Sequence, residues 1–308
     1  MVHNRQLAAW ICAACSLSFA HAAGSLSWYA GAAIAAVEGL ILLYIMYRLP
    51  EGGLAAVCRG SKTGRVFLLL CSAWTALMAG FAAALTAEAF PMVEGYPMIP
   101  LTVLALSAWA AHHSDAVGAR MASMLLPLLG VFYLLIVIFG LKEVKATTWK
   151  QNDFDLRAVC VMLLPLGAVL LKRGQGRIRA YAWIIGAAAA ASALALVALP
   201  WGSLYRAVMS ISVLGIMERF EALLCAAMAM GGVCLCTLLG RAGLGAAQAC
   251  TEKKETTEIL YWILAIIGLA LTDRQKTGPL LTGCLVFWVI LPLLTLWIEK
   301  SKKDEKRC

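Results

Sequence analysis

Charge is scarce in this sequence. Asp, Glu, Lys and Arg make up 14% of the 308 residues, whereas a soluble globular domain carries about 25%. Apolar residues fill the gap at 62%, more than a core of this size can bury. A bilayer must take the excess, so the chain reads as an all-α polytopic membrane protein. Long polar linkers are also missing, and residues 1–299 therefore read as one transmembrane domain, followed by a basic cytoplasmic tail at 300–308.

Acidic residues are fewer than basic ones, 17 against 26. The basic residues sit in short stretches between apolar runs. There they set topology and touch anionic lipid headgroups, and nucleic acid is not an expected partner. The chain lacks the patterns that carry most enzyme chemistry: no hydrolase triad and no P-loop stand at convincing spacing, and no strand precedes Gly240-x-x-Gly243-x-Gly245. Its 11 cysteines are an odd number, mostly inside apolar runs, which is not a disulfide framework. Cys12-x-x-Cys15 has no second pair and no histidine at zinc-site spacing, and packing between helices is the expected role. His112 and His113, beside Asp115, fall in an expected cytoplasmic loop, but adjacent side chains diverge on a helix, so a shared metal site is not expected. Neither a cofactor nor an enzymatic activity is expected.

What is present is a series of apolar runs, each near the length that crosses a hydrocarbon core. Ten are expected: Leu7–Ala23, Ser27–Tyr47, Val66–Ala87, Ile99–Ala116, Met121–Leu141, Leu156–Leu171, Ala180–Leu199, Phe220–Leu239, Thr257–Leu271 and Gly278–Ile298. With a cytoplasmic N-terminus, the inside segments hold 18 of the 26 Lys and Arg and the outside keeps 8. That asymmetry predicts that both termini are cytoplasmic. A rival reading takes Arg5, the run from Leu7 and Ala20-His21-Ala22 as a cleaved secretory signal, which would leave nine helices and an outside N-terminus.

Ionisable residues at membrane depth are costly and mark functional positions. Glu38 lies mid-run in Ala36-Val37-Glu38-Gly39-Leu40, as a proton or support site or as a carboxyl hydrogen-bonded to a neighbouring helix. Glu218 and Glu221 are one helical turn apart around Arg219, where they favour a helix N-terminus and where Arg219 can pair with them or with a ligand carboxylate. His21 lies late in the first run and is followed by Gly24 and Ser25, residue types that suit an unwound helix end lining a cavity.

Several segments, in order, resemble the B-subunits of spore germinant receptors, the GerAB-like spore germination permeases. Ser210-Ile-Ser-Val-Leu-Gly-Ile-Met-Glu218-Arg219-Phe220-Glu221-Ala-Leu-Leu is similar to the family's apolar segment and E-R-x-E-like motif at the start of helix eight. Tyr96-Pro97-Met-Ile-Pro100 resembles its proline-rich entry to helix four, and Gly118-Ala-Arg120 the turn before helix five. Arg5-Gln6, Trp28, Glu38-Gly39 and the stretch Phe287–Lys300 match in the same order. The resemblance covers nearly the whole chain and implies an amino acid–polyamine–organocation (APC) superfamily protein with a LeuT-type inverted repeat. It departs in the first helix, which lacks the Gly-rich stretch and proline. It departs again at Tyr205-Arg206, where members commonly have proline, and at Lys142–Asp155, which shortens the fold around helix six. The resemblance further implies an amino acid-like germinant bound between helices one, six and eight. The lining residues would be His21, Gly24, Ser25, Pro165, Gly167, Glu218, Arg219 and Glu221, with A- and C-type receptor subunits as partners. A proton-coupled amino acid transporter on the same fold, or a paralogue that binds no ligand, are the alternatives.

Overall fold

The computed structural model describes residues 4–23, 28–48, 53–87, 90, 98–141, 156–170, 190, 194–198, 204–210, 220–251, 253–272 and 282–297. These residues are almost entirely helical and contain no strand. In chain order the helices are α1 (Asn4–Ala22), α2 (Trp28–Arg48), α3 (Gly53–Cys58), α4 (Lys62–Ala87), α5 (Met98–His113), α6 (Asp115–Gly140) and α7 (Leu156–Met162). A 3₁₀ turn spans Leu164–Leu170. Then come α8 (Leu204–Ser210), α9 (Phe220–Gln248), α10 (Lys254–Ala270) and α11 (Thr282–Trp297). Apart from 180–199, which lies mostly outside the described residues, each apolar run expected from the sequence coincides with helix over most of its length.

Among the described residues three helices are long and apolar enough to cross a membrane: Lys62–Ala87, Asp115–Gly140 and Glu221–Gln248. Their surroundings differ. The apolar windows of α4 and α9 are 61% buried within the protein, that of α6 only 17%. Met124, Leu128, Val131, Leu134 and Ile138 of α6 all face outward. In water such a stripe would be a large liability, whereas in lipid it is the ordinary outer wall of a bundle.

α9 is the hub, packing against α1, α4, α5, α6, α10 and the 3₁₀ turn. Small residues make this possible. A Cβ on Gly231 would strike Ser16 and Leu17 of α1, one on Gly232 would strike Thr86 of α4, and one on Gly243 would strike Thr75 and Tyr261. α4 and α10 meet more closely still: a Cβ on Gly80 would run into the backbone of Ala265 and Leu269, and one on Gly268 into the backbone of Leu77.

The contact register fixes directions. Trp10 Nε1 donates to the Cys234 carbonyl at 3.0 Å, and Ser16 and Leu17 lie against Gly231, so α1 and α9 are antiparallel. Thr86 meets Gly232 and Thr75 meets Gly243, so α4 is antiparallel to α9 too. Ser107 Oγ donates to the Val233 carbonyl at 3.3 Å and Ala111 meets Gly240, which makes α5 parallel to α9. One end of the bundle therefore gathers the first turns of α1, α4, α6 and α10 and the last turns of α5 and α9. It carries Arg5, Lys62, Arg65, Arg120, Arg241, Lys253 and Lys254. The opposite end carries His21 and Glu221.

Two helices depart from α geometry next to proline. α7 stops at Met162, Leu163 N–H is shared between the carbonyls of Val159 and Cys160, and the chain tightens into the 3₁₀ turn. Pro165 has no N–H to donate to the carbonyl of Val161, and that missing bond breaks the helix here. In α11, Leu291 N–H bonds back to the Val286 carbonyl, an i→i−5 turn just before Pro292. The boundary between α5 and α6 falls at Ser114, whose extended backbone separates them, so Arg120 lies within α6 and not in a connecting loop.

Candidate functional site

The expected site residues fall into two groups. His21, Pro165, Gly167, Glu221 and Glu38 lie in described helices. Gly24, Ser25, Glu218 and Arg219 lie outside the described residues.

Glu38 stands out on geometry. It lies in the middle of α2 and is only 7% exposed. Its Oε1 is fully enclosed and has no hydrogen-bond partner among the described residues. α2 packs against both α7 and the 3₁₀ turn. The carboxyl also lies within electrostatic range of Cys15 on α1. Ser18, one turn along α1 from Cys15, is fully buried and its hydroxyl likewise lacks a partner. A buried carboxyl with an unpartnered oxygen is expensive, and it calls for a proton, a cation or a donor brought by a ligand. Among the described residues, the helix that carries it therefore packs against the broken segment from Leu156 to Leu170.

Pro165 and Gly167 are both fully buried in the 3₁₀ turn. Pro165 acts on the backbone by breaking the helix. Gly167 makes room for neighbours: a Cβ there would lie 2.7 Å from Leu239 Cδ2 and 3.4 Å from Trp288 Cζ2. The glycine thus brings the turn against α9 and α11 and does not open space at its own position. His21, near the end of α1, is half-buried and engaged in an interaction. Glu221, in the first turn of α9, is half-buried and within electrostatic range of Tyr205 on α8. Antiparallel packing puts the end of α1 and the start of α9, and with them His21 and Glu221, at the same end of the bundle.

His112 and His113 diverge as adjacent residues should. His112 Nδ1 lies 3.1 Å from the Glu258 carboxylate, while His113 Nδ1 lies 2.8 Å from the Trp109 carbonyl. Sequence reasoning missed Ser18 and the Asp115–Arg241 pair. Ser18 is one hydroxyl in an apolar run, and only the fold shows that it has no partner among the described residues. The pair joins positions 126 apart in sequence, and no local pattern announces it.

No family model matches the chain, and no curated protein matches it significantly.

Proposed function

We propose that this protein is the membrane subunit of a spore germinant receptor. It would bind a small, amino acid-like germinant inside its helix bundle and pass the change in packing to A- and C-type partner subunits. The fold proposed with it is the ten-helix LeuT-type arrangement of the APC superfamily, in a bacterial cytoplasmic or spore inner membrane. The lysine- and arginine-rich end of the bundle and both termini would face the cytoplasm.

The observation that carries this reading is Glu38: a buried carboxyl with an oxygen unpartnered among the described residues, on a helix that packs against the segment broken at Leu163. Interrupted helices that expose backbone polar groups near a bundle centre are where permease-type proteins hold their ligands. A ligand ammonium placed there would satisfy the carboxyl, and differential affinity for two packings would supply the signal. The direct packing of α1 on α9 supports the same reading, since those are the helices expected to border the site.

Equilibrium dialysis of the purified protein against labelled amino acids tests it. Saturable binding of at least one amino acid is expected, weakened at least about tenfold by Glu38→Gln. No binding at any physiological concentration would sink the receptor reading and leave a paralogue that only assembles with its partners. Glu38 also favours a second reading, a proton-coupled amino acid transporter. Uptake into proteoliposomes driven by a pH gradient, and abolished by Glu38→Gln, would select that reading.

A further inference from the structure

The basic end of the bundle contains a cleft of about 390 Å³. It lies between α3, α9 and the start of α10, and Leu170 at the end of the 3₁₀ turn forms part of its wall. Its polar lining is Arg59, Asp115, Arg241, Gln248 and Lys254. Three cations against one anion leave a net charge of +2 (three positive minus one negative).

The disposition of these groups goes beyond a general excess of positive charge. Arg241 is partly buried, with its side chain 22% exposed. Its Nε donates to Asp115 Oδ1 and its Nη1 to the Ala111 carbonyl at 2.9 Å. Those two bonds fix the plane of the guanidinium and use two of its five N–H groups, which leaves three free among the described residues. The Arg59 guanidinium, the Lys254 ammonium and the Gln248 amide make no hydrogen bond or ion pair among the described residues. A held guanidinium with spare donors, flanked by two exposed cations and an amide donor, matches the tetrahedral oxygens of a phosphate. At Gly245 a Cβ would meet nothing within 4 Å, so the wall there leaves room for the group that carries the phosphate.

We infer that this cleft is a binding site for a phosphate-bearing anion, either the headgroup of an anionic phospholipid or a free phosphate compound. Glu38 does not line the cleft, and the proposal does not depend on what Glu38 does. Because Leu170 and α9 belong to its wall, an occupant would join α3, the 3₁₀ turn, α9 and α10 at one end of the bundle.

The experiment uses the full chain in phosphatidylcholine nanodiscs, with two probes. Native mass spectrometry counts phosphatidylglycerol retained when that lipid is mixed in, and calorimetry follows inorganic phosphate. The Arg59→Gln/Lys254→Gln double variant removes two exposed cations from the lining. The Arg5→Gln/Arg120→Gln double variant removes equal charge from the same end but away from the cleft. Retention of phosphatidylglycerol over phosphatidylcholine, or saturable phosphate binding, is expected in wild type. A fall of about tenfold is expected in the cleft variant, with little change in the control. Lipid retention alone identifies a headgroup site, phosphate binding alone a soluble ligand, and either supports the inference. Absence of both, or equal losses in the two variants, overturns it, the latter because it would assign binding to diffuse surface charge.

Discussion

Trp10 is fully buried, and its indole N–H donates across the α1–α9 interface to the Cys234 carbonyl. Trp10→Phe keeps an aromatic ring but removes the donor and part of the volume. It should cost about 1 kcal/mol from the hydrogen bond and more from the void. The thermal midpoint in detergent should drop, and an unchanged midpoint would show that the contact contributes nothing. The Asp115–Arg241 pair is partly screened, with side chains 28% and 22% exposed. Asp115→Asn keeps the shape and removes the charge, so it should cost about 1 kcal/mol, read by the same melting experiment. Glu38 shows where sequence reading of single residues works and where it stops. A lone carboxylate in an apolar run is visible at once because its cost in lipid is large. That one of its oxygens is left without a partner among the described residues is a property of several helices together.

At the scale of elements, the helices were legible because an apolar run in lipid has few alternatives: its backbone groups must be satisfied within the segment. Boundaries were less so. The helix from Phe220 was expected to end at Leu239 but runs to Gln248, because Arg241 finds Asp115 and Ala111 and need not leave for solvent. α3 was invisible, as six residues between charged stretches carry no periodic signal. Pro165 is plain in the sequence, yet a proline can kink a helix or end it. Here Leu239 and Trp288 close over Gly167 and hold the tighter turn. Pro165→Ala restores the missing N–H, and amides across 163–170 should exchange more slowly with deuterium than in wild type, whereas faster exchange would show that the break has another cause. The glycines divide just as sharply. Gly80→Val drives a side chain into the backbone of α10 and should destabilise by about 3 kcal/mol or more. Gly130→Ala on the outward face of α6 meets nothing within 4 Å and should leave the melting temperature unchanged or slightly raised.

For the whole molecule, the sorting of lysine and arginine along the sequence has a three-dimensional counterpart in the basic end defined by α1, α4, α6, α9 and α10. Cys250, in the turn after α9, reports which compartment that end faces. Burial pushes its thiol pKa up, against the lowering influence of Arg65 and Arg59. Its thiolate fraction therefore rises with pH, and labelling is best done in mildly alkaline buffer. In a Cys308→Ser background, an impermeant maleimide should modify the Cys250 peptide only after the membrane is opened. Modification of intact cells would place the basic end outside and overturn the proposed orientation. Such tests are needed because the charge pattern gives a bias, while the pairing of α4 with α10 or α1 with α9 depends on shape complementarity that no single stretch of sequence encodes.

The seam at Gly80 and Gly268 presses main chain on main chain, with no side-chain cushion to deform. α4 and α10 can neither slide nor roll past one another without prising it apart. α9 is clamped to both, through Thr86 and through the Tyr261 hydroxyl bonded to the Leu239 carbonyl at 2.9 Å. These three form an anvil. α1 is tied to the same block through the Trp10 indole and the close approach at Gly231, so any rocking of α2 and the proline-broken segment would have to pivot on it.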